Sequence, residues 1–153
     1  MHTEWKIKPF EGLTTLELYQ VLQLRAKVFV VEQNCSYQDI DDKDLSSLHL
    51  MGFQNETLVA YARLLPAGIS YATASIGRVV TDPTVRGTGI GRELMHEALR
   101  RVEVFFDTTD LTISAQDYLR EFYASFGFVP QGEVYLEDDI PHVEMHRKGD
   151  AAN

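Results

Sequence analysis

Arg78-Val79-Val80-Thr81-Asp82-Pro83-Thr84-Val85-Arg86-Gly87-Thr88-Gly89-Ile90-Gly91-Arg92 is the stretch from which the rest of the chain can be read. The β-branched pair Val79-Val80 predicts a strand, and Asp82-Pro83 stop it. Three glycines spaced by two follow. An amphipathic run comes next, with Ile90, Leu94 and Ala98 on one stripe and Met95, Leu99 and Val102 beside it, which predicts a helix to about Phe106. A glycine-rich loop that opens a helix leaves several backbone N–H groups without intrahelical partners, and the helix dipole adds partial positive charge there. Glycines also remove the side chains that would hold a ligand off the backbone. Such a loop suits an anion, most naturally a phosphate.

The spacing is not a Walker loop, because no Lys-Ser/Thr follows the last glycine. Nor is it the dinucleotide fingerprint, which would need glycine where Arg92 stands. Residues 78–101 hold five of the nine arginines against three acids, in a protein whose net charge is −9. Arg100 and Arg101 read as a solvated helix face. Arg86 and Arg92 flank the glycines and are the candidates for a polyanionic ligand.

The chain of 153 residues is long enough for one domain with a proper core, expected over residues 1–148, with a frayed tail at 149–153. Its acidic balance argues against nucleic acid, which requires a basic surface. No apolar run approaches a membrane span, and the first residues carry no apolar leader core. The single cysteine, Cys35, excludes an intrachain disulfide. A cytoplasmic protein is the expectation. Exposed sheet edges are compatible with a homodimer. No CxxC or HxxxH spacing points to a metal, and none is expected from Cys35, His49 and the aspartates; Cys35 reads as a small buried apolar residue.

Working outward, Trp5 to Lys8 predicts a first strand, stopped by Pro9. Thr14-x-x-Glu17 is a capping-box pattern opening a helix that fades near Phe29-Val30-Val31. Residues 32–47 have no clear period and carry five acids and one base, and are read as a loop with one short helical turn. Leu48–Phe53 and Thr57–Leu65 predict a hairpin, and Thr73–Thr81 the strand that feeds the glycine loop. Leu111–Ala115 predicts a buried strand, Asp117 a short helix ended by Gly127, and Glu133–Leu136 with His142–His146 a final β region. The order β-α-loop-β-β-β-α-β-α-β-β predicts an α/β fold: a mixed sheet with helices on its faces and the glycine loop at a strand's carboxyl end.

Arg86-Gly87-Thr88-Gly89-Ile90-Gly91 is an R-x-x-G-x-G pattern, and it resembles the acetyl-CoA pyrophosphate loop of the GNAT N-acetyltransferases. Ser114-Ala115-Gln116-Asp117-Tyr118-Leu119-Arg120-Glu121-Phe122-Tyr123-Ala124-Ser125-Phe126-Gly127-Phe128 resembles that family's strand-then-helix segment with its Phe-Tyr-x-x-x-Gly-Phe ending. The runs from Phe29 to Asp44 and from Val134 to His142 are similar to the ElaA-like branch, whose acceptors are poorly defined. The resemblance implies a mixed, centrally splayed sheet with helices on both faces, and direct acetyl transfer from acetyl-CoA to a primary amine: a small cationic amine, an aminosugar or a protein or peptide amine. It implies that backbone groups of Arg78, Val79 and Val80 hold the pantetheine arm, with a backbone N–H near Val80 polarising the thioester. Residues Gly87, Thr88, Gly89, Ile90, Gly91 and Arg92, with Arg86 alongside and Gln116, would complete the coenzyme site. A non-catalytic acyl-CoA-binding module on the same fold is the alternative.

Proton traffic sets the remaining candidates. By spacing alone Tyr123 reads as a residue packed on an apolar helix face beside Phe122 and Phe126; the motif match reverses this, making it the family's general acid for the departing thiolate, with Tyr118 a second hydroxyl. Glu32, His142 and Glu144 are candidates to deprotonate an ammonium acceptor, with water as a substitute. Partial burial would raise the pKa of Glu32 toward a useful value. His142, after a proline, reads equally as a hydrogen-bonded structural residue. The acids at 39–44 and 137–139 are expected to flank the acceptor side and attract a cation.

Overall fold

A computed structural model of the chain describes residues 2–149. Of the expected tail, residues 150–153 lie outside the described residues. Four strands form an antiparallel meander in the order β1-β2-β3-β4: β1 (Glu4–Pro9), β2 (Leu48–Gln54), β3 (Thr57–Leu65) and β4 (Ser75–Thr81). A three-stranded antiparallel sheet follows, ordered β5-β7-β6: β5 (Leu111–Gln116), β6 (Val129–Glu137) and β7 (Ile140–Arg147). The two sheets meet where β4 and β5 run parallel, joined just before β4 by a bridge from Ala74 to Leu111, where Thr112 N–H donates to Ala74 O at 3.1 Å. Beyond it the strands part. This is the expected mixed sheet, splayed at its centre.

The parting coincides with an irregularity in β4. Val80 pairs with Tyr61 and Gly77 with Arg63, so Arg78 and Val79 together oppose Ala62. An extra residue bends and twists its strand. Arg78 takes up the geometry with φ +50°, left-handed backbone that a non-glycine residue adopts rarely.

The sheet's alternation sends the two faces of the meander to different helices. Helix α2 (Ile90–Phe106) buries Ile90, Leu94, Met95, Ala98 and Val102 against Leu50, Ala60, Ala62 and Leu64. Helix α1 (Thr15–Arg25) packs Val21 and Leu24 on Met51, Phe53 and Tyr61, which point the other way. The expected capping box is present: Thr14 Oγ1 accepts from Glu17 N–H at 3.0 Å and Glu17 accepts from Thr14 N–H at 2.9 Å. This helix does not fade at 29–31. It widens into a π-helical segment, Ala26–Glu32, which carries Phe29 and Glu32 to the edge of the splay. The predicted short helix after β5 is split into a 3₁₀ turn, Asp117–Leu119, and α3 (Arg120–Ala124), with Gly127 at φ +92° beyond its end.

The acidic run departs most from expectation. Asp39 and Asp44 are buried rather than facing an acceptor. Arg25, with no exposed surface, donates Nε to Asp39 Oδ2 and Nη1 to Asp44 Oδ1, both at 2.8 Å. Arg63 grips Asp41 with two bonds of 2.6 and 2.9 Å, and Arg78 Nε donates to Asp39 Oδ1 at 2.8 Å. Opposite charge from β3, β4 and α1 turns these aspartates inward. Burial alone would raise the Asp41 pKa, but hydrogen bonds from Arg63 bring it down to about 2.

Candidate active site

The splay opens a cleft of about 640 Å³. One wall is β4, from Ile76 to Thr81. The other is β5, through Ile113, Ser114 and Gln116, and the 3₁₀–α3 segment contributes Tyr118, Leu119, Phe122 and Tyr123. Val28, Phe29, Glu32, Gln33, Cys35 and Tyr37 close it from the π-helical end, and Glu137, Asp138, Ile140 and His142 from the β6–β7 turn. Arg78, Val79, Val80, Arg86, Gly91 and Gln116, all singled out in the sequence for coenzyme binding, line this space together with Tyr123, Glu32 and His142.

The glycine loop stands at the carboxyl end of β4. Among the described residues, the N–H groups of 87–92 make no hydrogen bond. Gly87 and Gly89 have φ +82° and +87°, and a Cβ on either would meet nothing within 4 Å. These amides stand at the start of a seventeen-residue helix, where backbone N–H groups and the helix dipole favour an anion. Thr88 Oγ1 donates to Val85 O at 2.6 Å, bracing the loop with its side chain.

The two flanking arginines separate. Arg92 does not line the cleft: its Nη1 donates to Ser125 Oγ at 3.0 Å and its guanidinium lies 4.6 Å from the Phe126 ring centroid. The side chain expected beside a phosphate is instead held by the Phe126 ring and the Ser125 hydroxyl, just beyond α3. Arg86 does line the cleft and makes a two-pronged pair with Glu32, at 2.6 and 2.7 Å. Glu32 is accordingly not a partly buried carboxylate of raised pKa. It is exposed, and the Arg86 hydrogen bonds hold its pKa below the ordinary value. That charge state leaves it a poor proton acceptor while the pair persists.

Tyr123 is 7% exposed, set edge-on to Phe122 and Phe128, and its hydroxyl has no hydrogen-bond partner among the described residues. Burial pushes its pKa well up, so the phenol keeps its proton across the neutral range. Tyr118, at 75% exposure, belongs to the outer wall. His142 is buried, and its Nδ1 lies 2.7 Å from Ile140 O. A carbonyl can only accept, so Nδ1 carries the hydrogen and Nε2 keeps its lone pair in the neutral ring. Nε2 lies 3.6 Å from Glu137 Oε2, and Tyr135 stacks on the ring. Glu144, the remaining base candidate, does not line the cleft and is paired with His146 at 2.6 Å. Cys35 is not a buried apolar filler: it is part-exposed, and its thiol donates to Asp138 O at 3.2 Å across the cleft mouth.

Sequence reasoning missed Gln33, Tyr37 and Ser114 as cleft residues. Gln116 Nε2 donates to Gln33 Oε1 at 3.3 Å, and Ser114 bonds both the Tyr135 hydroxyl and Glu137. Ser114 sits beside Gln116 in a strand that points alternate side chains to the gap, and that register was the available signal.

The family model of the acetyltransferase (GNAT) domain matches residues 17–148. The chain belongs to the GNAT acetyltransferase family. It is 44% identical to the protein ElaA of Escherichia coli, over 95% of this chain and 96% of that one. Among solved structures, this GNAT chain superposes on an acyl-CoA N-acyltransferase from Pseudomonas aeruginosa with a TM-score of 0.91 and 45% identity, covering 95% of this chain and 99% of the other. The crystal structure of Escherichia coli ElaA gives a TM-score of 0.90 at 42% identity, covering 96% and 100%. The mixed fold and the ElaA-like resemblance are thus those read from the sequence. No helix among the described residues is long and apolar enough to cross a membrane.

Proposed function

We propose that this GNAT chain, acting through residues 1–148 as one domain, transfers an acetyl group from acetyl-CoA directly to a primary amine. One observation carries the proposal: Arg86, Gly91 and Tyr123 line one cleft with the parted strands, beside a loop whose amides at 87–92 make no hydrogen bond among the described residues. The amides and Arg86 suit a diphosphate, and Gly87 and Gly89 keep the approach clear. The gap between β4 and β5 suits an extended arm that hydrogen-bonds to Val79 and Val80 in place of a neighbouring strand. A backbone N–H near Val80 would polarise the thioester carbonyl.

In the reaction, the amine nitrogen attacks the carbonyl carbon, the C–N bond forms and the C–S bond breaks. The thiolate takes its proton from Tyr123, whose dry surroundings keep that proton available, and the proton that the nitrogen sheds on becoming an amide returns to the tyrosinate. Before attack, an ammonium acceptor loses a proton to His142 Nε2 or to water. The carboxylates of Glu137 and Asp138, which line the cleft from the β6–β7 turn, favour a cationic acceptor.

The test is calorimetry of the purified chain with acetyl-CoA, followed by thiol release and mass spectrometry over a panel of polyamines, aminosugars and peptides. The expected result is binding together with acetylated amine and free thiol. Binding without any thiol release would make the chain an acyl-CoA-binding module, and no binding would remove the transferase altogether.

A further inference from the structure

The buried charges between α1 and the bent strand β4 are not used by any step above. Asp39 is their hub, 8% exposed. Its Oδ2 accepts from Arg25 Nε at 2.8 Å, and its Oδ1 accepts from Arg78 Nε at 2.8 Å and from the Tyr37 hydroxyl at 2.9 Å. Its backbone carbonyl accepts from Arg25 Nη2 at 2.9 Å and Arg78 Nη2 at 3.1 Å. Asp39 therefore ties the arginine at the bend to one with no exposed surface at the base of α1.

Stability alone does not account for this network. Taking several charges out of water is costly, and an apolar cluster of the same volume often does as well. Here Asp44 Oδ2 and Arg63 Nε are buried with no hydrogen-bond partner among the described residues, so the arrangement is not optimised as an ion-pair cluster. What an apolar cluster could not supply is a directional hold on the side chain of Arg78. That residue has φ +50° and, with Val79, makes the bulge opposite Ala62 on the cleft wall. A non-glycine residue stays left-handed only where its surroundings over-determine it.

We infer that Asp39 is a positioning residue: by clamping Arg78, it holds the left-handed bulge that aims the β4 backbone into the cleft. This rests on the reading that β4 receives the pantetheine arm of acetyl-CoA. Without the clamp, Arg78 relaxes toward ordinary extended backbone, the two-against-one register with β3 is lost, and the N–H and C=O groups of Val79 and Val80 turn away from the arm.

The test compares R78A with R78G by acetyl-CoA calorimetry, well below both melting temperatures so that the folded fraction is equal. Both variants lose the guanidinium and leave Asp39 in the same condition. They differ in the cost of a left-handed residue, which glycine does not bear. The expected result is that R78A binds acetyl-CoA about five- to tenfold more weakly than R78G. Equal affinities, even with a lower melting temperature for R78A, would overturn the inference. A second arm uses D39N. It weakens acetyl-CoA binding in the Arg78 background and has little further effect on affinity in R78G, while lowering the melting temperature in both. An equal loss of affinity in both backgrounds also overturns the clamp. If the unsubstituted chain shows no affinity for acetyl-CoA, the functional reading fails instead, so the two failures are distinct.

Discussion

Two cleft residues, Tyr123 and Glu32, owe their chemistry to neighbours that spacing alone does not reveal. Tyr123 has the helix spacing of a core aromatic and is packed like one, yet it lines the cleft and its hydroxyl has no hydrogen-bond partner among the described residues. Replacing it with phenylalanine is expected to lower kcat for amine acetylation by about 10²-fold or more, with little change in acetyl-CoA affinity; steady-state thiol release checks the first and calorimetry the second. Because burial raises its pKa, the rate of the unsubstituted chain should show no loss from phenol ionisation near pH 10.0, the ordinary tyrosine value. On the proposed reading, Glu32 would compete for Arg86 with a phosphate of the coenzyme. E32Q is expected to tighten acetyl-CoA binding about two- to fivefold at low salt, and the gain should shrink as salt is raised. An unchanged or weaker affinity would show that Arg86 keeps its carboxylate when the coenzyme binds.

At the scale of elements, the junction of β4, the glycine loop and α2 does the positioning. Gly89 caps α2 with φ +87°, and its missing Cβ leaves the amides open. In G89A the left-handed residue costs about 1–2 kcal/mol. The melting temperature should fall by a few degrees, about 2–4 °C for each kcal/mol. Acetyl-CoA affinity should fall further than backbone strain requires, since the new methyl meets no protein atom and occupies the ligand's approach. Thermal melts with and without acetyl-CoA separate the two effects.

Across the whole molecule, the parted sheets are held by charges as well as by core. Asp41 bridges Arg63 and Arg78, and so joins β3 to β4 through the segment before β2. Its pKa drops from 3.8 to about 2 on folding. Between those values the unfolded chain binds more protons than the folded one, so stability is present above pH 3.8 and is lost as pH falls through about 2. A contribution of on the order of 1–2 kcal/mol is involved after allowing for its partial exposure. Urea melts from neutral pH down through this window should show the decline, and D41N should be less stable at neutral pH with a shallower decline. A decline of the same depth in D41N would assign the acid sensitivity to other carboxylates.

Much of the fold was legible because its signals are local. Thr14 and Glu17 sit one helical turn apart, the glycines adjoin the helix they open, and β3 declares its ends with Asn55-Glu56 and Pro66. The free amides at 87–92 followed from the same short range, since N–H groups at a helix entrance have no intrahelical carbonyl to donate to. Charge partners were not legible. Asp39 lies 14 residues from Arg25 and 39 from Arg78, and only packing α1 across β3 and β4 brings the three together. The same holds for Arg92, drawn to Ser125 across 33 residues, and for Glu32, met by Arg86 across 54. Backbone preferences act over a few residues and are written in order along the chain. A buried or bridging charge takes whichever opposite charge the folded chain delivers within about 4 Å, and that choice belongs to the tertiary structure.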